Sequence, residues 1–149
     1  SKFGVSAYAV SRMVYRHGNR AREILELTRE RPELKNTVCR CEPVLACELV
    51  YSIRKEWAVS LTDLRNRTRL GTGPCQGARC AAPAMAILAK ELDLSGREVQ
   101  EQLLSFLERR WRGKRPILSG SMIAQEEMNQ AAHFLAGNLR SLADIKGYD

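Results

Sequence analysis

Arg69-Leu70-Gly71-Thr72-Gly73-Pro74-Cys75-Gln76-Gly77-Ala78-Arg79-Cys80 cannot continue a helix, because its glycines and proline break the backbone period. It ends on a cysteine that opens an alanine-rich stretch. An earlier break, Thr37-Val38-Cys39-Arg40-Cys41-Glu42-Pro43, carries a second close cysteine pair. Outward from the longer loop, Ser60-Leu61-Thr62-Asp63 is a capping box that predicts a short helix to about Arg67, with the Asp63 carboxylate reaching back to the Ser60 N–H. Downstream, Ala84, Met85, Leu88 and Leu92 predict a helix from Ala81 to about Leu92. A second capping box, Ser95-Gly96-Arg97-Glu98, starts a helix with Val99, Leu103, Phe106 and Leu107 on one face, ending near Gly113. Pro116 then forces an extended connection. A last helix is expected over 121–139, with Ala124, Met128, Ala131, Ala132 and Leu135 on its apolar face.

Toward the N-terminus, Val5, Ala9, Val10, Met13 and Val14 recur at helical intervals up to His17, and Gly18 supplies a stop. Asn19 is a candidate cap for a second helix that buries Ala21, Ile24, Leu25 and Leu27 and ends near Pro32. Arg16, Arg20, Arg22, Arg29 and Arg31 are expected mostly on solvated faces. Pro43 fits the first turn of a helix running from about Val44 to Lys55, which places Cys39 and Cys41 at a helix entrance. Ala46, Cys47, Val50, Ile53 and Trp57 form its stripe, so Cys47 reads as a core thiol. No segment alternates convincingly over five positions, and the predicted fold is all-α. Its expected divisions are an N-terminal helical segment (1–35), a cysteine module (36–94) and a C-terminal helical segment (95–149), forming one compact unit.

The 149 residues, 44% hydrophobic, suffice for one core. The 24 Lys and Arg against 17 Asp and Glu give a formal charge of +7. Aromatic residues are not interleaved with basic runs, so nucleic-acid binding is not expected. No apolar run is long enough to span a bilayer and no signal peptide opens the chain, which reads as cytoplasmic. The absence of an initiator Met, with a helical period already running at Val5, points to a piece of a longer protein. Five cysteines are too few and too uneven for a secreted disulfide scaffold.

Four of those cysteines, Cys39, Cys41, Cys75 and Cys80, fall into the two close pairs and are candidate metal ligands. One residue separates the first pair and four separate the second, which departs from the usual zinc spacing of two to four. Two pairs can instead serve the two irons of a 2Fe-2S rhomb, one pair to each iron. Backbone N–H groups between Gly71 and Arg79 are then available to its sulfurs, and Arg40, Arg65, Arg67, Arg69 and Arg79 offset its negative charge. On chemistry alone a structural zinc module stays open beside the cluster, as does a DNA-binding regulator using the basic surface. His17, at a helix end, and His133, in an amphipathic helix, read as structural.

Thr37-Val-Cys-Arg-Cys-Glu42 and Arg69-Leu-Gly-Thr-Gly-Pro-Cys-Gln-Gly-Ala-Arg-Cys80 resemble the cluster-binding domain related to bacterioferritin-associated ferredoxin. Trp111-Arg-Gly-Lys-Arg-Pro-Ile-Leu118 and Tyr15-Arg-His-Gly-Asn19 resemble the C-terminal region of FAD-dependent glycerol-3-phosphate dehydrogenases, particularly the anaerobic type. The likeness covers residues 12 to 137. It implies a helical 2Fe-2S module with flanking N- and C-terminal helices and with Cys39, Cys41, Cys75 and Cys80 as ligands. It also implies electron relay from flavin to a downstream acceptor, either another subunit or a quinone-linked membrane partner. Membrane contact would then be peripheral, at the inner face, through the parent enzyme. No Gly-x-Gly-x-x-Gly fingerprint occurs, so FAD and substrate belong to an N-terminal domain expected before Ser1, and this stretch is expected to be inactive alone. The basic run around Trp111 reads as a solvated helix end, or as a docking surface for that domain or an anionic membrane face.

Overall fold

The computed structural model describes residues 3–136, apart from the side chains at 133, 134 and 136. His133 therefore lies outside the described side chains, and the expected end of the last helix lies beyond the described residues. Contacts divide the chain after Val99 into two compact units.

The first unit is helical, as predicted. Helix α1 (Ala7–His17) is capped by Ser6, whose Oγ accepts the Ala9 N–H at 3.2 Å, and is stopped by Gly18 at φ 56°. Helix α2 (Ala21–Glu30) follows through a 3-10 turn, Gly18–Arg20, so Asn19 lies inside the turn and does not cap it. A second 3-10 turn, Pro32–Lys35, leads into a hairpin of β1 (Thr37–Cys39) and β2 (Val44–Leu45), paired antiparallel. Helices α3 (Ala46–Glu56), α4 (Leu61–Thr68) and α5 (Ala81–Leu92) complete the unit. The Asp63 carboxylate closes the α4 cap on the Val59 N–H and the Ser60 hydroxyl.

Helix α3 is the axis of this unit. Every residue from Ala46 to Ile53 is buried, and it packs on α2, α4 and α5. Met13, Ile24, Leu45, Leu49, Leu64, Met85 and Leu88 are almost fully excluded from solvent. Each such side chain contributes about 1.5–3 kcal/mol by leaving water. Cys47 is one of this core, and burial pushes its thiol up to about 12.

In the first unit two carboxylates are enclosed and held by arginines. The Glu48 side chain is fully buried, receiving Arg16 Nε at 2.9 Å, Arg16 Nη2 at 2.8 Å and the Leu45 N–H at 2.8 Å, with His17 Nε2 at 3.0 Å. Arg16 also donates to the carbonyls of Glu42 and Pro43, at 2.8 and 3.0 Å. Its expected place on a solvated face is thus corrected: its side chain is 1% exposed, because the hairpin turn supplies carbonyls that only a long cation reaches.

Glu91 on α5 is the second, bonded to Arg31 at 2.6 Å and Arg54 at 2.7 Å. Burial raises its carboxyl, but the two arginines outweigh it and hold it below the ordinary 4.5. A carboxyl depressed on folding contributes stability that is intact above 4.5 and lost as pH falls through its lower folded value. Glu91→Gln is expected to remove that dependence, so acid titration should show a shallower loss of stability below pH about 4.5 than in the parent chain.

In the second unit, α6 (Gly96–Lys114) crosses the division and buries Leu104, Phe106, Leu107 and Trp111. Helix α7 (Ser121–Ala136) does not bury its expected apolar face: Met128 is 68% and Leu135 82% exposed. Glu126 and Gln130 are buried instead. Arg110 and Lys114 both bond Glu126, so part of the basic run around Trp111 turns inward rather than to solvent.

Candidate metal centre

Local chain chemistry sets the two cysteine loops. The Cys39-Arg40-Cys41 segment is the turn of the hairpin, and Pro43 lies in that turn, not in α3, which starts at Ala46. The second loop leaves α4 at Arg69, in the left-handed region at φ 62°, and turns again at Gly71 (φ 72°) and Gly77 (φ 92°). Gln76 braces it from inside. Its Nε2 donates to the carbonyls of Thr72 and Gly73 at 3.1 and 3.0 Å, and its Oε1 accepts from Arg65 at 2.9 Å.

The loops touch at Gly73. A Cβ built there would stand 2.4 Å from the Cys41 Cβ, closer than any side chain tolerates. Gly73→Ala is therefore expected to push the loops apart, costing about 1–3 kcal/mol of stability by overpacking and reducing metal retention. Thermal melts and metal content of the purified variant check this; both unchanged would mean that the loops are not held at this contact.

All four predicted cysteines line one cavity of about 280 Å³, together with Val38, Arg40 and Arg79. All are free thiols. The Cys41 and Cys75 sulfurs stand 3.7 Å apart, and Cys39 is in hydrogen-bond contact with Cys80. Two thiolates on one tetrahedral metal with about 2.3 Å bonds stand about 3.8 Å apart. The Cys41–Cys75 contact therefore has the spacing of two ligands on one ion. Both of these contacts run across the two loops. Among the described residues, no three His, Cys, Asp or Glu side chains converge on a single ion position.

Backbone amides point at the sulfurs. Contact with the Cys80 thiol, helped by N–H groups of Gly71, Glu42 and Cys41, overcomes burial and brings Cys39 down to about 5. The same contact pushes Cys80 up, above the ordinary thiol range. Burial raises Cys75, but N–H groups of Arg79 and Gly77 outweigh it and the net shift is downward, while proximity to Cys75 raises Cys41. In each pair one thiol is thus shifted down and its neighbour up. Cys80 also forms the N-terminal boundary of α5, where helix dipoles favour negative charge. The site is graded in depth: Cys39 and Cys80 are 1% and 2% exposed, Cys75 is half-buried and Cys41 is open to solvent.

The family described as the C-terminal domain of alpha-glycerophosphate oxidase matches residues 1–99. A Haemophilus influenzae protein named as one subunit of anaerobic glycerol-3-phosphate dehydrogenase is 37% identical over 136 residues, 91% of this chain and 23% of its own length. The protein of the same name from Escherichia coli K12 is 39% identical over 117 residues, 78% of this chain and 21% of its own. A Haloferax volcanii protein, also named as one subunit of anaerobic glycerol-3-phosphate dehydrogenase, is 30% identical over 131 residues, 88% of this chain and 21% of its own. The chain thus spans under a quarter of the length of these curated relatives. No solved structure matches it. No helix among the described residues is long and apolar enough to cross a membrane.

Proposed function

The chain belongs to the family of C-terminal domains of alpha-glycerophosphate oxidase, and from that premise we propose that it is the C-terminal electron-transfer domain of an FAD-dependent glycerol-3-phosphate dehydrogenase. Cys39, Cys41, Cys75 and Cys80 would hold a 2Fe-2S cluster. The observation that carries this reading is the convergence of all four thiols on one cavity, with cross-loop contacts between Cys41 and Cys75 at 3.7 Å and between Cys39 and Cys80, within a nest of N–H donors. Bound there, such a cluster supplies one-electron steps between a flavin that accepts two electrons and carriers that take one. The chain's own residues do the rest. Gly73 lets the loops meet, Gln76 holds the longer loop in shape, and Gly71, Gly77 and Arg79 direct amides at the sulfurs. Oxidation of the alcohol carbon belongs to a flavin domain outside this sequence. The relatives are named as single subunits of a larger enzyme, which supports an electron-accepting subunit or a quinone-linked membrane partner downstream.

A structural zinc module is the weaker reading, because the single residue between Cys39 and Cys41 departs from the zinc spacing of two to four. Purification without oxygen, followed by iron, sulfide and zinc analysis and EPR of the reduced protein, tests the choice. The expected result is two irons and two sulfides per chain with a reduced-state signal. Stoichiometric zinc without iron, in protein kept anaerobic from lysis onward, would falsify it.

A further inference from the structure

The geometry points to the outer edge of the cysteine cavity, at Cys41 and Cys75, as the docking face for an acidic protein that exchanges single electrons. This rests on the electron-transfer reading above and adds the place of exchange and the chemistry of the partner.

The depth gradient fixes the place. Among the described residues Cys39 and Cys80 are sealed from solvent, whereas Cys41 is open and Cys75 half-open, so the Cys41–Cys75 side is where another protein's redox centre comes nearest to the thiols. Charge fixes the partner. Arg40 and Arg79 both line the opening and are exposed, and neither has a carboxylate partner among the described residues. Arg65, beside them, spends its guanidinium on the amide of Gln76. Glu42, in the hairpin turn, is shared by Arg12 at 3.1 Å and Arg69 at 3.5 Å, leaving one positive charge in surplus there. An oxidised cluster on four thiolates brings about two negative charges, fewer than the unmatched arginines supply. The rim stays positive with the oxidised site filled, and the chain's net charge of +7 adds to the same field. Transient redox complexes bury little surface and depend on complementary charge for fast encounter. A rim of free arginines around the exposed thiol pair suits a carboxylate-rich partner surface of that kind.

Arg40→Glu/Arg79→Glu tests the proposal in two ways. In the metal-free chain, the solvent-open Cys41 thiol is reacted with dianionic dithiobis(nitrobenzoate) and with cationic cystamine. The ratio of the two rates should favour the anion, and fall roughly tenfold in the double variant or in high salt. In reconstituted protein, reduced anaerobically and normalised for iron, reoxidation is followed with plastocyanin, an acidic copper protein, and with cytochrome c, a basic one. One electron passes per encounter, Cu(II) becoming Cu(I) or haem Fe(III) becoming Fe(II). The ratio of the plastocyanin to the cytochrome c reduction rate should fall roughly tenfold in the variant and decline with salt. Equal, salt-independent rates with both acceptors would overturn the docking face. So would binding of the parent chain, lost in the variant, to vesicles containing phosphatidylglycerol when plastocyanin rates do not differ, since that assigns the rim to a membrane. If the chain takes up no iron while the thiol ratio behaves as expected, the electron-transfer reading fails and the redox partner with it, leaving only a basic rim.

Discussion

Cys75→Ser protein, reconstituted without oxygen, is expected to lose the visible absorption of the metal centre and keep its helical circular dichroism. Cys75 lies half-buried on the loop between α4 and α5 and fills no core space, so the substitution should move stability by only about 0.5 kcal/mol. The amides of Gly77 and Arg79 remain in place, now facing a hydroxyl that stays protonated. Cys41, 3.7 Å away, is left as the sole thiolate for its ion. Cys41→Ser should give the same result, because both sulfurs serve one position. Cys47→Ser makes the control: its thiol is buried in the core, so the absorption should survive while stability declines. An unchanged spectrum in Cys75→Ser would refute its role as a ligand.

Glu48→Ala is expected to cost about 3–5 kcal/mol, the range for removing one member of a buried ion pair. The carboxylate is fully buried and answers Arg16, His17 and the Leu45 N–H together. Its loss leaves the Arg16 charge 1% exposed with only the Glu42 and Pro43 carbonyls for company. Whole domains are stable by about 5–15 kcal/mol, so such a loss brings the first unit close to unfolding at ambient temperature. Glu48→Gln keeps an acceptor for Leu45 and should lose less. Urea denaturation measures both. A cost under about 1 kcal/mol, the range of exposed pairs, would show that water reaches this network.

Sequence punctuation located most helices because it acts within a few residues. Gly18 ends α1, Ser60 and Asp63 start α4, Ser95 and Glu98 start α6, and Ala81 and Leu92 bound α5 as expected. The hairpin escaped notice for a local reason as well, since strands of three and two residues are too short to show alternation. Pro43 was compatible with a helix start and with a turn, and only pairing of Thr37 with Leu45 decides between them. Arg16 and α7 were misplaced for the opposite reason. Arg16 is buried because carbonyls and a carboxylate from distant segments meet it, and Glu126 because Arg110 and Lys114 turn toward it. The four cysteines were legible from their loops, but their partition into cross-loop pairs depends on the contact at Gly73, which no spacing encodes.

A metal centre held by both loops also changes the unfolded chain. A 2Fe-2S rhomb is joined through its sulfides, so however its four ligands are shared between the irons it would tie one loop to the other. A tie between Cys41 and Cys75 closes a ring of 34 residues that contains α3 and α4, and the tie from Cys39 to Cys80 encloses it. A closed loop of that size removes about 4 kcal/mol of unfolded-state entropy, and the second, nested tie adds little more. Even a single ion at the outer pair would keep the ring shut. Chelation then acts as a cut in a cross-link, lowering the unfolding midpoint of the helices between the loops although none of them touches the metal.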